Sequence, residues 1–251
     1  FRVEKVSKYF DQIDHKSSHR EFITHTGRIG NKKISVVSTG IGPDNIDIVM
    51  NELDALVNID LIERTAKADK TSLNIIRIGT SGSLQEHIGV DSFVASTHGI
   101  GLDNLLHFYT FQNNDEESEI GRAFIQQVHL NANLSKPYVF SASAFQLAKL
   151  TDNCHTGITV TCPGFYGPQG RILRMKLAMP SLNEELTSFS FGNHKILNFE
   201  METSAIYGLG KALGHQCISL SAIVANRIAM EFSKDADATI DKLIRQTLEA
   251  L

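Results

Sequence analysis

The chain has 251 residues, 42% hydrophobic and 21% charged, which is enough apolar material for a large core and excludes a disordered or fibrous protein. A net charge of −4 speaks against a nucleic-acid surface, because phosphate-backbone binders carry a basic excess; it leaves room for small anions that a few arginines can hold. Cys154, Cys162 and Cys217 form no Cys-x-x-Cys pair, so neither a disulfide framework nor a zinc ribbon is indicated, and a reducing compartment is expected. No apolar run approaches about 18 residues, and no signal-peptide or lipidation pattern occurs, so the chain reads as cytoplasmic with no membrane partner.

In chain order, Val3, Val6, Phe10 and Ile13 fall at near-helical spacing and predict an opening helix. Lys33 to Thr39 is a β-branched run that ends in Gly40 and Gly42. Pro43 then sits at a first helical position, and Ile46, Val49, Met50, Leu53 and Leu56 form a helical stripe, which reads as strand, glycine turn, helix. The polar stretch Glu63 to Thr71 suits an exposed helix end or loop. Ser72 to Ile78 is apolar enough to be a buried parallel strand, and it runs into Gly79-Thr80-Ser81-Gly82. Val90 to Thr97 is a further strand. Asn113 to Glu119 is an acidic loop leading into a helix through Phe124, Val128 and Leu130. His155 to Cys162 is a strand, Pro163 to Gly170 a Gly/Pro/aromatic loop, and Lys195 to Phe199 a short strand. A helix from Glu200 to Leu213 stops at Gly214, Gln216 to Ala225 is a buried strand, and Ala236 to Leu251 is an amphipathic helix. Alternating strands and helices predict an α/β fold with a mainly parallel sheet. No repeat or composition shift divides residues 1–251, so one domain is expected.

Four constellations carry chemistry. Ser38 to Pro43 could cradle a phosphate at a helix N-terminus, or could be a plain tight βα turn. Arg77 near the end of an apolar strand, with Thr80, Ser81 and two glycines after it, suits an anion site; an arginine paired with a buried carboxylate fits equally well. Phe165, Tyr166, Gln169 and Arg171 lie within one loop. A carboxamide and a guanidinium together match a heterocycle edge of carbonyl–NH–carbonyl character, with an aromatic to stack on its face; the other reading is aromatics covering the core. Glu200 and Glu202 flank Met201 where a strand becomes a helix, placed either to accept sugar hydroxyls or simply as helix-start acids. The histidines show no metal-ligand spacing, Gly-x-Ser-x-Gly does not occur, and Cys162 has no basic partner that would make it a nucleophile.

Taken in order, these segments resemble the uridine phosphorylase branch of the nucleoside phosphorylase family. The likeness runs through Phe1 to Val6, Ser18 to Phe22, Ser38 to Gly42, Arg77 to Gly82, Phe165 to Arg171, Phe199 to Ala205 and Ile223 to Arg227. The resemblance implies a single-domain, three-layer α/β/α fold with a central mixed, mostly parallel sheet. It implies phosphorolysis of uridine to uracil and ribose 1-phosphate, in which phosphate attacks an oxocarbenium-like ribose without a covalent enzyme intermediate. Phosphate would be held by Arg2, Arg20, Arg77 and Thr80, with Arg20 supplied by a neighbouring subunit of a self-associating enzyme. The base would be read by Phe165, Gln169, Arg171 and Arg227, and the ribose by Thr80, Met201 and Glu202; Arg77, Arg171 and Glu202 would be the catalytic set. No cofactor is implied beyond phosphate as co-substrate, although a monovalent-cation (K+) site would map to Glu21, Ile41 and Asn45, with asparagine in place of a serine. Purine-specific relatives carry an aspartate where this chain has Asn226, which favours a pyrimidine. A first strand and a Gly-Asp-Pro loop would stand upstream of Phe1 and are expected to be missing from this chain. The longer segment from Asn58 to Ser72 counts against a hexamer. The competing expectations are a purine nucleoside phosphorylase, a nucleoside hydrolase, or a nucleoside-binding protein with impaired catalysis.

Overall fold

A computed structural model describes residues 2–251. Helix α1 (Arg2–Ser7) buries Val3 and Val6, but it ends before Phe10, and Ile13 lies in a strand. The predicted opening stripe therefore divides between two elements. Strands β1 (Gln12–His19), β2 (Phe22–Ile29) and β3 (Lys32–Val37) form an antiparallel meander of their own. The run from Lys33 is thus a strand as expected, but it belongs to this separate sheet. Every residue of β1 is exposed, so it lacks the inside–outside alternation by which a strand is recognised in sequence.

Helix α2 (Pro43–Asn58) begins as predicted, with Pro43 at its first position and Gly42, at φ 100°, in the N-cap. The polar stretch that follows contains the small hairpin β4 (Ile59–Asp60) and β5 (Thr65–Ala66). Strand β6 (Asn74–Ser83) does not stop at Ile78; Gly79 to Gly82 continue it, which places Arg77 in mid-strand. Next come β7 (Phe93–Gly101), a short 3-10 turn, and α3 (Asp115–Gln127). Asn114 and Glu117 form a reciprocal capping box at the start of α3, which turns the expected acidic loop into a helix start. The chain proceeds through β8 (Tyr138–Ser141), α4 (Ala144–Leu150), β9 (His155–Thr161), α5 (Leu182–Ser188), β10 (Ser190–Phe191) and β11 (His194–Glu200). Glu200 closes that strand, and α6 (Thr203–Leu213) begins three residues later, ending at Gly214 with φ 80°. Strand β12 (Gln216–Asn226), β13 (Glu231–Phe232) and α7 (Ala236–Glu249) complete the order.

The central sheet is mixed, as expected for an α/β fold. Its β12–β6, β7–β9 and β11–β9 registers are parallel, the first two being the longest, and the other joints are antiparallel. The sheet rolls through β12, β6, β11, β9 and β7 until β7 meets β12 again, at Ala95 against Leu220. This ring removes most free edges. Helix α6 is buried along nearly its whole length, and its Tyr207 donates a hydrogen bond to the Ser96 carbonyl. α7 packs on the far side through Ile240, Leu243 and Ile244.

Candidate active site

Arg77 departs from mid-strand β6 beside two small residues of β12. The register sets Ser219 opposite Arg77 and Ser221 opposite Gly79. Both hydroxyls accept long bonds from Arg77 Nη1, at 3.3 and 3.4 Å. The guanidinium lies back over Gly79, where a Cβ would stand 2.0 Å from Nη1. A side chain at position 79 would therefore displace the guanidinium from this pose, a constraint that local strand chemistry does not supply. The other nitrogen, Nη2, bridges two carboxylates, Glu202 at 2.6 Å and Glu200 at 2.9 Å. Burial works against the charge on Arg77, and the two carboxylates outweigh it, so its pKa is raised. Burial raises the pKa of Glu200, against the opposing pull of Arg77. The two expectations for Arg77, anion ligand and partner of a buried carboxylate, are thus joined in one cluster.

Glu202 is buried. Its second oxygen, Oε1, accepts the backbone N–H of Gly42 at 2.8 Å. The Gly40–Gly42 turn at the start of α2 thereby binds an anion, which is a carboxylate of the protein itself. Arg2 reaches the same place from α1, its Nη1 donating to the Ile78 carbonyl at 3.1 Å. Much of the Arg2 residue is exposed, yet burial around its guanidinium, followed by the charge of Arg77, lowers its pKa, and Glu202 offsets part of this. Thr80 is half-buried further along β6, and Met201 is half-buried between the two glutamates. Arg20 is not part of this cluster. It stands at the exposed tip of the β1–β2 hairpin at φ 53°, without a hydrogen bond or ion pair to the described residues.

A second group of cations gathers near Gly82, five residues beyond Arg77 on β6 and about 16 Å along it at roughly 3.3 Å per residue. Gln169 is buried in a short 3-10 turn, and Gly170 beyond it takes φ 70° with Asn183 pressed against its Cα. Arg171 Nη1 donates to Gln169 Oε1 at 2.7 Å and to the Phe165 carbonyl at 2.5 Å. Its guanidinium lies 3.7 Å from the centre of the Phe165 ring, which is otherwise 51% exposed. Arg227 Nη1 donates to the Gln169 carbonyl at 2.8 Å, and its guanidinium lies 4.4 Å from the Phe199 ring. Burial and then the charge of Arg171 pull the pKa of Arg227 down to about 10, and burial lowers that of Arg171. Neither arginine has a carboxylate partner among the described residues, which leaves a cationic, partly desolvated rim around a buried carboxamide. Four of the expected base contacts are thus assembled from two distant segments.

Asn226, singled out for what it is not, has a full structural occupation. Its Nδ2 donates to the carbonyls of Gln85, Glu86 and Ile88, and its Oδ1 accepts from the N–H groups of Ile228 and Ala229. Cys162 is fully buried with its pKa pushed up by burial, in keeping with an inert thiol. Around Gly40, Glu21 and Asn45 come together with Ile41, but Asn45 turns its NH2 toward the Ile41 carbonyl at 3.4 Å. As oriented, that amide presents a donor, not an oxygen, to the Ile41 carbonyl. Glu200 was one of the two candidate carboxylates but not a member of the implied site set, and Ser219 and Ser221 were not anticipated. A signal existed for the serines, two small hydroxyl residues at alternate positions of β12, but only the register brings them to Arg77.

Comparisons with known proteins place the chain in a family. The sequence model of the Phosphorylase superfamily matches residues 1–250. The chain belongs to that superfamily. Its fold is similar to the crystal structure of a Trypanosoma brucei nucleoside phosphorylase described as showing uridine phosphorylase activity, with a TM-score of 0.88 and 30% identity over 100% of this chain and 90% of that one. In sequence it is 27% identical over 239 residues to a uridine phosphorylase of Thermococcus kodakarensis, covering 93% of this chain and 72% of that protein. It is also 24% identical over 248 residues to a DeoD-type purine nucleoside phosphorylase of Buchnera aphidicola, covering 98% and 87% respectively. Among the described residues, no helix of this superfamily member is long and apolar enough to cross a membrane.

Proposed function

We propose that this phosphorylase cleaves the N-glycosidic bond of uridine with inorganic phosphate, yielding uracil and ribose 1-phosphate. The observation that carries the reading is the division of four arginines along β6. Arg77, with Arg2 beside it, meets two carboxylates at one end, and Arg171 and Arg227 surround Gln169 with no carboxylate partner among the described residues at the other. The first group suits a dianionic nucleophile beside a ribose that becomes cationic. The second suits a base that leaves as an anion. The names of the uridine phosphorylase relatives support the same reading.

In this mechanism phosphate is held by Arg77 and Arg2, with Thr80 beside them on β6, and attacks the anomeric carbon as the glycosidic bond lengthens. Glu202 accepts hydrogen bonds from the sugar hydroxyls next to Met201 and steadies the oxocarbenium ion. The electron pair released by the breaking bond goes to the pyrimidine. Gln169, Arg171 and Arg227 stabilise it there by charge-assisted hydrogen bonds, with Phe165 against the ring. Asn226 carries no acidic proton, and its amide is committed to the Gln85–Ile88 backbone, which weighs against a purine mechanism that needs an acid at that place. The reading extends to a self-associating enzyme in which Arg20 serves the neighbouring subunit, supported by the exposed, unpaired position of that arginine. It also extends to a cytoplasmic setting, consistent with three free thiols, and to a reaction in which phosphate is the sole co-substrate.

The test is uracil release from uridine by the purified protein with and without phosphate, followed alongside inosine and adenosine. Release that requires phosphate and favours uridine is expected. Equal release without phosphate would mean hydrolysis, preference for inosine would mean the purine reaction, and uridine binding without turnover would mean a binding protein.

A further inference from the structure

We propose that Glu200 is a positioning residue, the fixed anchor that keeps Arg77 aimed into the phosphate half of the site while Glu202 turns to the sugar. This role rests on the phosphorolytic reading above.

Arg77 reaches both carboxylates through one nitrogen, but the two carboxylates are held very differently. Among the described residues Glu202 has one anchor besides Arg77, the Gly42 N–H at 2.8 Å. Glu200 is tied down on every side. Its Oε2 accepts the N–H groups of Glu202 at 2.9 Å and Thr203 at 3.0 Å, and its Oε1 accepts Thr161 Oγ1 at 2.9 Å and the Thr203 N–H at 3.1 Å. Its side chain is 3% exposed. A carboxylate bound by consecutive backbone N–H groups at a strand–helix junction cannot swing without unravelling that junction. Glu202 can exchange partners by a rotamer change.

Sugar hydroxyls that bind Glu202 compete with Arg77 Nη2 for the same oxygen. Once they succeed, Arg77 retains Glu200 at 2.9 Å and the two long serine bonds at 3.3 and 3.4 Å. Only the contact with Glu200 is charge-assisted. Glu200 therefore matters most when nucleoside is bound, and little when the pocket holds phosphate alone and Glu202 still grips Arg77. A carboxylate that served only to balance charge would behave otherwise, since its removal would strengthen phosphate binding in both states.

The experiment uses the full chain with Glu200→Gln, which keeps an acceptor for the Thr203 N–H, and Glu200→Asp, which keeps the charge but draws it back from Arg77. Inorganic phosphate is measured two ways, by calorimetry on the enzyme alone and as phosphate KM at saturating uridine, with Tm recorded for each variant. For E200Q the phosphate KM at saturating uridine is expected to rise about tenfold, while phosphate binding to the enzyme alone and the uridine KM stay within about threefold, as loss of one charged hydrogen bond in one state predicts. E200D is expected to move the same quantity in the same direction by less, and it carries the test if E200Q does not fold. An unchanged or lowered phosphate KM in both variants overturns the role, as does parallel weakening of phosphate binding in both states together with a fall in Tm. A wild-type protein that releases no uracil with phosphate overturns the phosphorolytic reading first and this role with it; an active wild type with unaffected variants overturns the role alone.

Discussion

The two ends of the candidate site are built on opposite plans. At the Arg77 end the arginine is paired with two carboxylates and Arg2 bonds a backbone carbonyl, and the groups stand on strands β6 and β11, helix α1, the junction before α6 and the turn before α2. At the Arg171 end two like charges meet one glutamine, Arg171 at its carboxamide and Arg227 at its backbone carbonyl, and two of the three residues stand on the loop between β9 and α5. Paired charges on strands hold their geometry before any ligand arrives. Unpaired cations on a loop conserve their attraction for an anion that exists only late in the reaction. The first end is organised for position and the second for charge uptake.

The strongest way to break this contrast is Arg77→Ala. It removes a phosphate ligand and leaves the buried Glu200 without its cation, so kcat/KM is expected to fall about a thousandfold and Tm to drop with it. A variant that lost activity with no change in Tm would show that Glu200 does not need its partner. Asn226→Asp probes the backbone under the other end. A carboxylate there would face the Gln85 and Ile88 carbonyls with no proton to give, and a loss of about 2–4 kcal/mol of stability is expected in urea unfolding. Gain of inosine phosphorolysis in a stable N226D protein would instead restore the purine mechanism.

Arg171→Ala sharpens the contrast from the loop side. It should lower kcat/KM for uridine about tenfold to a hundredfold while the phosphate KM stays within about threefold, because only base-anion stabilisation is removed. Equal effects on both substrates would erase the division between the two ends. The smallest expected effect on turnover is at Glu117, a buried acid outside both. Burial pushes its pKa up, but Lys211 and the N–H and hydroxyl of Ser141 outweigh this and hold it at about 2 against an ordinary 4.5. A carboxyl with a depressed folded pKa contributes stability above its ordinary value and loses it as pH falls from about 4.5 through 2. Glu117→Gln is therefore expected to cost about 2 kcal/mol at neutral pH, to flatten the stability curve between those values, and to leave both KM values unaltered.

Much of this was legible in residue order. The turn at Gly40 to Pro43, the apolar run carrying Arg77, and the group Phe165 to Arg171 are local patterns, and local patterns report backbone preference and chemical type directly. The sequence by itself determined the fold class, the arginines and glutamates to watch, and the superfamily. Only the tertiary structure decided how they act. The register of β12 on β6 brings Ser219 and Ser221 to Arg77, the closure of β7 on β12 makes the ring, and α2 brings Gly42 to Glu202 across 160 positions of chain. Exposed β1 escaped detection because it has no buried face to write a pattern. Glu200 stayed open between sugar acceptor and helix-start acid because its decisive partner, Arg77, lies more than a hundred residues away, and long-range register leaves no mark in local spacing.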